Sequence, residues 1–146
     1  MSREAASFPT PRPQPGDALP ELVLPLTASV IVAGAIASRD FMPVHHDKAY
    51  ARAQGAPDVF MNILTSNGTV SRYVTDWAGP EARLTRIAIR LGAPALPGDS
   101  LRFSGRVASV ERRGDEDVIE VDLRGATAIG DHVTGRVTLT LPVAAA

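Results

Sequence analysis

Asp58-Val59-Phe60-Met61-Asn62-Ile63-Leu64-Thr65-Ser66-Asn67-Gly68-Thr69-Val70-Ser71-Arg72-Tyr73-Val74-Thr75-Asp76-Trp77-Ala78-Gly79-Pro80 is the stretch on which the fold turns. Its apolar residues Val59, Phe60, Ile63, Leu64, Val70, Tyr73, Val74 and Trp77 recur at helical spacing. Asp58, just after Pro57, is placed to start a helix, and Gly79-Pro80 ends it. The spacing predicts the longest helix of the chain, from Asp58 to about Trp77. Gly68 inside it costs about 1 kcal/mol relative to alanine. A close approach to a sheet or to another subunit would account for that cost. Tyr73, Val74 and Trp77 read as core rather than as ligand contacts.

Beyond Pro80 the pattern changes to period two. Ile87, Ile89 and Leu91 alternate with Ala88 and Arg90, and Leu101, Phe103 and Val107 with Arg102, Ser104 and Arg106. Ile119, Val121 and Leu123 alternate with Glu120 and Asp122, and Val133, Val137, Leu139 and Leu141 with Arg136, Thr138 and Thr140. These are four strands with one buried face each. Arg113-Gly114-Asp115 and Gly130-Asp131 carry turn chemistry between the last three. A meander with one long helix as its large apolar partner is an α+β layer arrangement, a sheet wrapped on a helix.

Upstream, Leu22-Val23-Leu24 reads as a short strand ended by Pro25, and Thr27 as the N-cap of a helix over Ala28 to Ala37. Asp47 reads as the cap of a second short helix, Lys48 to Gln54, stopped by Gly55. Residues 1–18 read as a flexible tail, with Pro9, Pro11, Pro13 and Pro15 set among small or polar residues. The other reading of that segment is an arm laid across a partner subunit. Residues 19–146 form the single expected domain.

The composition narrows the function. A net charge of −1 leaves no electrostatic footprint for nucleic acid. No apolar run reaches the length of a membrane span, and no signal-peptide layout opens the chain, so a cytoplasmic location is expected. With no cysteine, disulfides, thiol nucleophiles and thiolate metal sites are excluded.

The chemistry concentrates in Asp40-Phe41-Met42-Pro43-Val44-His45-His46-Asp47. It sets a carboxylate and an imidazole five residues apart, with Pro43 fixing one φ between them. A histidine exchanges protons near neutrality, and an ionised aspartate orients or deprotonates a water. His46 reads as a residue of the helix approach and Asp47 as a cap. His132, the remaining histidine, reads as a residue at the start of a strand, and no metal site is expected from these groups. Arg83, Arg86 and Arg90 read as a solvated strand face, with contact to CoA phosphates as the alternative.

The loop, the long helix and Pro94-Ala95-Leu96-Pro97-Gly98-Asp99 occur in an order that resembles the MaoC-like (R)-specific enoyl-CoA hydratases, over roughly Leu19 to Pro142. Ala35–Asp40, His45–Lys48, Asp58–Thr65 and Arg72–Pro80 resemble the small MaoC-like subunit of the actinobacterial steroid side-chain enoyl-CoA hydratases. The resemblance implies a single hot-dog fold and water addition to a trans-2-enoyl-CoA by Asp40 and His45, with Asp40 favoured as base and His45 as proton donor and the two roles otherwise shared or reversed. It implies backbone N–H groups at Met61 and Asn62 for the thioester oxygen. There the family typically has a His-Gly pair, and Asn62 brings a side chain where glycine leaves space. It implies an acyl-CoA as substrate with no separate cofactor. The partner would be a larger chain with MaoC-like and DUF35-type domains, or else a second copy in a homodimer. The second reading is a non-catalytic subunit that completes another chain's acyl tunnel. A hot-dog thioesterase is the third; thioesterases of this fold usually place an acidic residue on the long helix itself, whereas Asp58 and Asp76 lie at its ends.

Overall fold

The protein is described by a computed structural model covering residues 12–143. Five strands form one antiparallel sheet: β1 Ala18–Pro25, β2 Arg83–Leu91, β3 Ser100–Arg113, β4 Glu116–Thr127 and β5 Gly130–Pro142, in the order β1-β3-β4-β5-β2. Three helices accompany them, α1 Ala28–Ala37, α2 Lys48–Ala53 and α3 Ile63–Ala78. The apolar face of α3 lies in the concavity of the sheet. Val70, Tyr73, Val74 and Ala78 bury against Phe103, Val107, Ile119, Val121, Val137 and Leu139. Each contributing strand offers alternate residues to that face, which is what the period-two runs require. Gly105 makes room for the helix, since a Cβ there would stand 3.2 Å from the Tyr73 ring. This arrangement is the expected α+β hot-dog fold.

The short-range signals behave as read. Thr27 caps α1 by accepting from the Val30 N–H at 3.1 Å, and Asp47 caps α2 by accepting from the Tyr50 N–H at 3.0 Å. Arg86 and Arg90 are exposed on edge strand β2, and Arg83 pairs with Glu116.

Three expectations need correction. The long helix begins at Ile63, not at Asp58. Asp58 turns its carboxylate to its neighbour's N–H and to Lys48 at 2.7 Å. Met61 bonds across to Ala95, and Asn62 takes the cap position by accepting from the Thr65 N–H at 3.0 Å. Gly68 marks no close approach within this chain, because a Cβ there meets nothing within 4 Å. The tight crossing is at Gly34, where a Cβ would overlap the Thr65 side chain, so α1 and α3 touch there. Finally, residues 12–17 are not loose. Arg12 clasps Asp117 through two hydrogen bonds of 2.6 Å, and Gly16 and Asp17 exchange backbone bonds with Val107. The rest of the expected tail, residues 1–11, lies outside the described residues.

Candidate active site

The loop between α1 and α2 is set by the way α1 ends. Arg39 adopts a left-handed conformation, φ 58°, uncommon for a residue with a side chain. This reverses the chain, and the Asp40 N–H closes back on the Ala35 carbonyl at 2.9 Å. Pro43 then opens a single 3₁₀ turn, Pro43–His45, whose fixed φ suits a first helical position. Turn and reversal bring Asp40 and His45 together, with Asp40 Oδ2 3.4 Å from His45 Nε2. His46 points away, and its Nε2 lies 3.2 Å from the Phe41 carbonyl.

The His45 ring is buried and stands edge-on to Phe60, with ring centroids 5.0 Å apart. Its Nδ1 lies 2.7 Å from the Phe60 carbonyl oxygen. A carbonyl only accepts, so Nδ1 carries a proton. Nε2 is therefore the working nitrogen, and in the neutral ring it bears the free lone pair. Asp40 is held below the usual carboxylate range. The Asn62 side-chain N–H is the main cause; the Met42 N–H and His45 add to it, and partial burial opposes it. Asp40 is therefore ionised at neutral pH.

The pair opens into a cleft of roughly 320 Å³ lined also by Phe60, Met61, Asn62, Ile63, Leu91–Pro94 and His132. Of the two backbone donors expected at the start of the long helix, Met61 is engaged, its N–H donating to the Ala95 carbonyl at 3.0 Å. The lead-in to the helix runs extended against that loop, which consumes the group. No described residue accepts the Asn62 N–H. It precedes the first turn of α3, where free N–H groups and the helix dipole favour negative charge. Among the described residues, no group of three or more His, Asp or Glu side chains is placed to hold a metal ion.

Two parts of the site escaped the sequence. The Asn62 side chain reaches Asp40. Across the cleft, His132 does not follow the alternation of β5. The ladder pairs Gly125 with Val133 and Ala126 with Asp131, so His132 is the extra residue of a β-bulge, and its side chain turns inward. Its Nδ1 donates to the Ala93 carbonyl at 2.8 Å, and its Nε2 lies 2.8 Å from the Ser66 hydroxyl. Burial lowers its pKa below the ordinary histidine value, so the ring is neutral and Ser66 donates to it. Gly130, Asp131 and His132 open β5 directly after the Ala128-Ile129 turn, and nothing in their sequence marks the bulge.

The sheet wrapped on α3, with an Asp–His pair at one end of the helix, defines a hot-dog protein with the groups for acid–base chemistry. The MaoC like domain matches residues 14–128, and the chain belongs to that family. A relative from Mycobacterium tuberculosis, the 3-oxo-4,17-pregnadiene-20-carboxyl-CoA hydratase beta subunit, is 48% identical over 126 residues, covering 86% of this chain and 95% of its own length. The solved ChsH1-ChsH2 complex from the same organism contains a chain 47% identical, with a TM-score of 0.83 over 88% of this chain and 98% of that one. An (R)-hydratase from A. caviae involved in PHA biosynthesis shares the fold at 22% identity, with a TM-score of 0.78 over 88% of this chain and 97% of its own.

Proposed function

We propose that this chain is a hydratase subunit that adds water across the trans-2 double bond of an acyl-CoA, with a steroid side chain as the acyl group. The observation that carries the reading is the ionised Asp40 carboxylate 3.4 Å from His45 Nε2 in a cleft that also holds the unbonded Asn62 N–H. The steroid assignment draws on the relative's name and on 48% identity to it.

In this reading one water rests between the two side chains. Its oxygen bonds to C3 as a proton passes to the pair. The electrons of the double bond move through C2 to the thioester oxygen, and the enolate accepts from the Asn62 N–H. C2 then takes a proton back from the pair, and no further cofactor enters. The resemblance gave Asp40 the base role and His45 the donor role. The bond from Nδ1 to Phe60 makes Nε2 the atom that serves His45 in either role.

The functional unit is larger than one chain. Phe41, Met42, Ile63 and Leu64 are exposed around the site, more apolar surface than a free cleft mouth needs. A larger MaoC-like partner with a DUF35-type domain is favoured over a homodimer because the neighbour at 47% identity is solved as a ChsH1-ChsH2 complex. The absence of the family's His-Gly pair at Met61-Asn62 is the argument for the second reading, a non-catalytic partner subunit. Hydration of a steroid-derived enoyl-CoA by the chain alone, and by the chain with its larger partner, separates the two. Product formation that depends on Asp40 and His45 is expected. Hydration that survives the loss of both side chains would leave only the partner role.

A further inference from the structure

The buried side chain of Asn62 makes three hydrogen bonds. Its Oδ1 accepts from the Thr65 N–H at 3.0 Å and so caps α3. Its Nδ2 donates to the Ser38 hydroxyl at 2.8 Å and to Asp40 Oδ2 at 3.0 Å. Ser38 is fixed in turn by the Gly34 carbonyl at 2.7 Å, on the last turn of α1. One amide thus joins the end of α1, the start of α3 and the carboxylate oxygen that faces His45. A capping serine or aspartate would serve the helix equally well. Neither would give Asp40 a donor: serine is too short, and an ionised aspartate has no N–H.

We propose that Asn62 is a positioning residue that holds Asp40 as a fixed, charged acceptor of low basicity, so that the proton of the attacking water travels through His45 Nε2. This rests on the hydratase reading of the site. An amide donor on Oδ2 stabilises the anion and uses one of its lone-pair directions. The carboxylate keeps the means to orient a water and to stabilise an imidazolium. Nε2, with no bonded donor other than that water, accepts the proton, and the imidazolium then returns it to C2. Water and substrate supply every atom of the product.

Few other charges compete. Asp40 is faced by His45 from the 3₁₀ turn and by Asn62 and Ser38 from the helix ends. The opposite wall brings His132, buried and bonded to Ser66, and the uncharged stretch Leu91–Pro94. Lys48 on α2 is paired with Asp58, and the first turn of α3 has no acidic residue.

The test is Asn62→Asp, which keeps the volume and the cap but sets a second carboxylate against Asp40, together with Asn62→Ser, which keeps a cap and removes the donor. The Asp40 carboxyl is titrated by carbon-13 NMR in protein labelled at aspartate, and the pH profile of kcat/KM is measured on the active assembly. In Asn62→Asp the Asp40 midpoint is expected to rise by about one pH unit or more, without the acid limb of the profile following it, because His45 takes the proton; an acid limb that tracks the Asp40 midpoint would make Asp40 the base and overturn the proposal. In Asn62→Ser the midpoint is expected to rise toward the ordinary value of about 3.9. If Asn62→Asp does not fold, Asn62→Ser decides. An Asp40 midpoint unchanged in the folded variants would reduce Asn62 to a helix cap and overturn the proposal. If the midpoint moves but Asp40→Asn and His45→Ala keep full turnover, the hydratase reading of the pair is what fails.

Discussion

His45 and His132 stand on two walls of one cleft and begin alike. Each gives its Nδ1 proton to a backbone carbonyl, Phe60 in one case and Ala93 in the other. Each is buried, 7% and 2% exposed. They differ at Nε2. That of His132 is sealed against the Ser66 hydroxyl inside the helix–sheet interface, while that of His45 faces a carboxylate and open space. Burial and a fixed tautomer are thus common to both rings, and what separates them is a free second nitrogen with an anion beside it, the arrangement that general acid–base chemistry requires.

Replacement of each ring gives the largest contrast. His45→Ala is expected to lower turnover by about 10²–10⁴-fold, the scale of one general acid–base group, while far-ultraviolet circular dichroism stays unchanged. His132→Leu is expected to lower turnover less than about ten-fold and to act on stability instead. It strips the Ala93 carbonyl of its donor, which costs about 1–3 kcal/mol in denaturant unfolding. Equal losses of turnover in the two variants would erase the distinction.

The His132 environment also carries a pH signature. Its folded pKa lies below its unfolded value because burial disfavours the charged ring. Its contribution to stability is therefore whole above the unfolded value of about 6.5 and is lost as pH falls through the folded one. Thermal unfolding should show stability falling as pH drops below about 6.5, with a shallower fall in His132→Leu. A slope unchanged by the substitution would place the titrating group elsewhere.

Smaller effects test the surroundings. Gly68→Ala is expected to stabilise the isolated chain by about 1 kcal/mol, since a Cβ there meets open space. A gain in the isolated chain that becomes a loss in the assembled complex would show that a partner covers this face of α3. His46→Ala is the smallest change. Its ring is exposed and bonds only to the Phe41 carbonyl, so stability should move by less than about 0.5 kcal/mol. Turnover should stay within two-fold of the parent, with or without a chelator. Activity lost to EDTA and restored by zinc would contradict the metal-free reading of the pair.

How far the sequence could be read depended on the range of each interaction. Thr27 and Asp47 were legible because a cap is decided within three residues, and the strands because alternation is local. The meeting of Asp40 and His45 was foreseeable because both lie on one short loop with a proline between them. The start of α3 was misread because Val59 and Phe60 fit a helical period. Their segment is instead committed to His45 and Ala95, through the Phe60 carbonyl and the Met61 N–H, and only the tertiary fold supplies those partners. The Asn62–Asp40 bond spans 22 residues, and the inward turn of His132 follows from a bulge that breaks alternation. Neither leaves a periodic trace.

The most direct test of the Asp40–His45 site is Asp40→Asn. The substitution keeps the shape of the side chain and a carbonyl oxygen for Asn62 and removes the charge beside Nε2. Hydration of a trans-2-enoyl-CoA by the assembled protein is measured for parent and variant, with the variant's fold checked by circular dichroism. The expected result is a loss of about 10²-fold or more in kcat/KM with the fold intact. A folded Asp40→Asn variant that hydrates at nearly the parent rate would contradict the assignment of the pair as the catalytic centre.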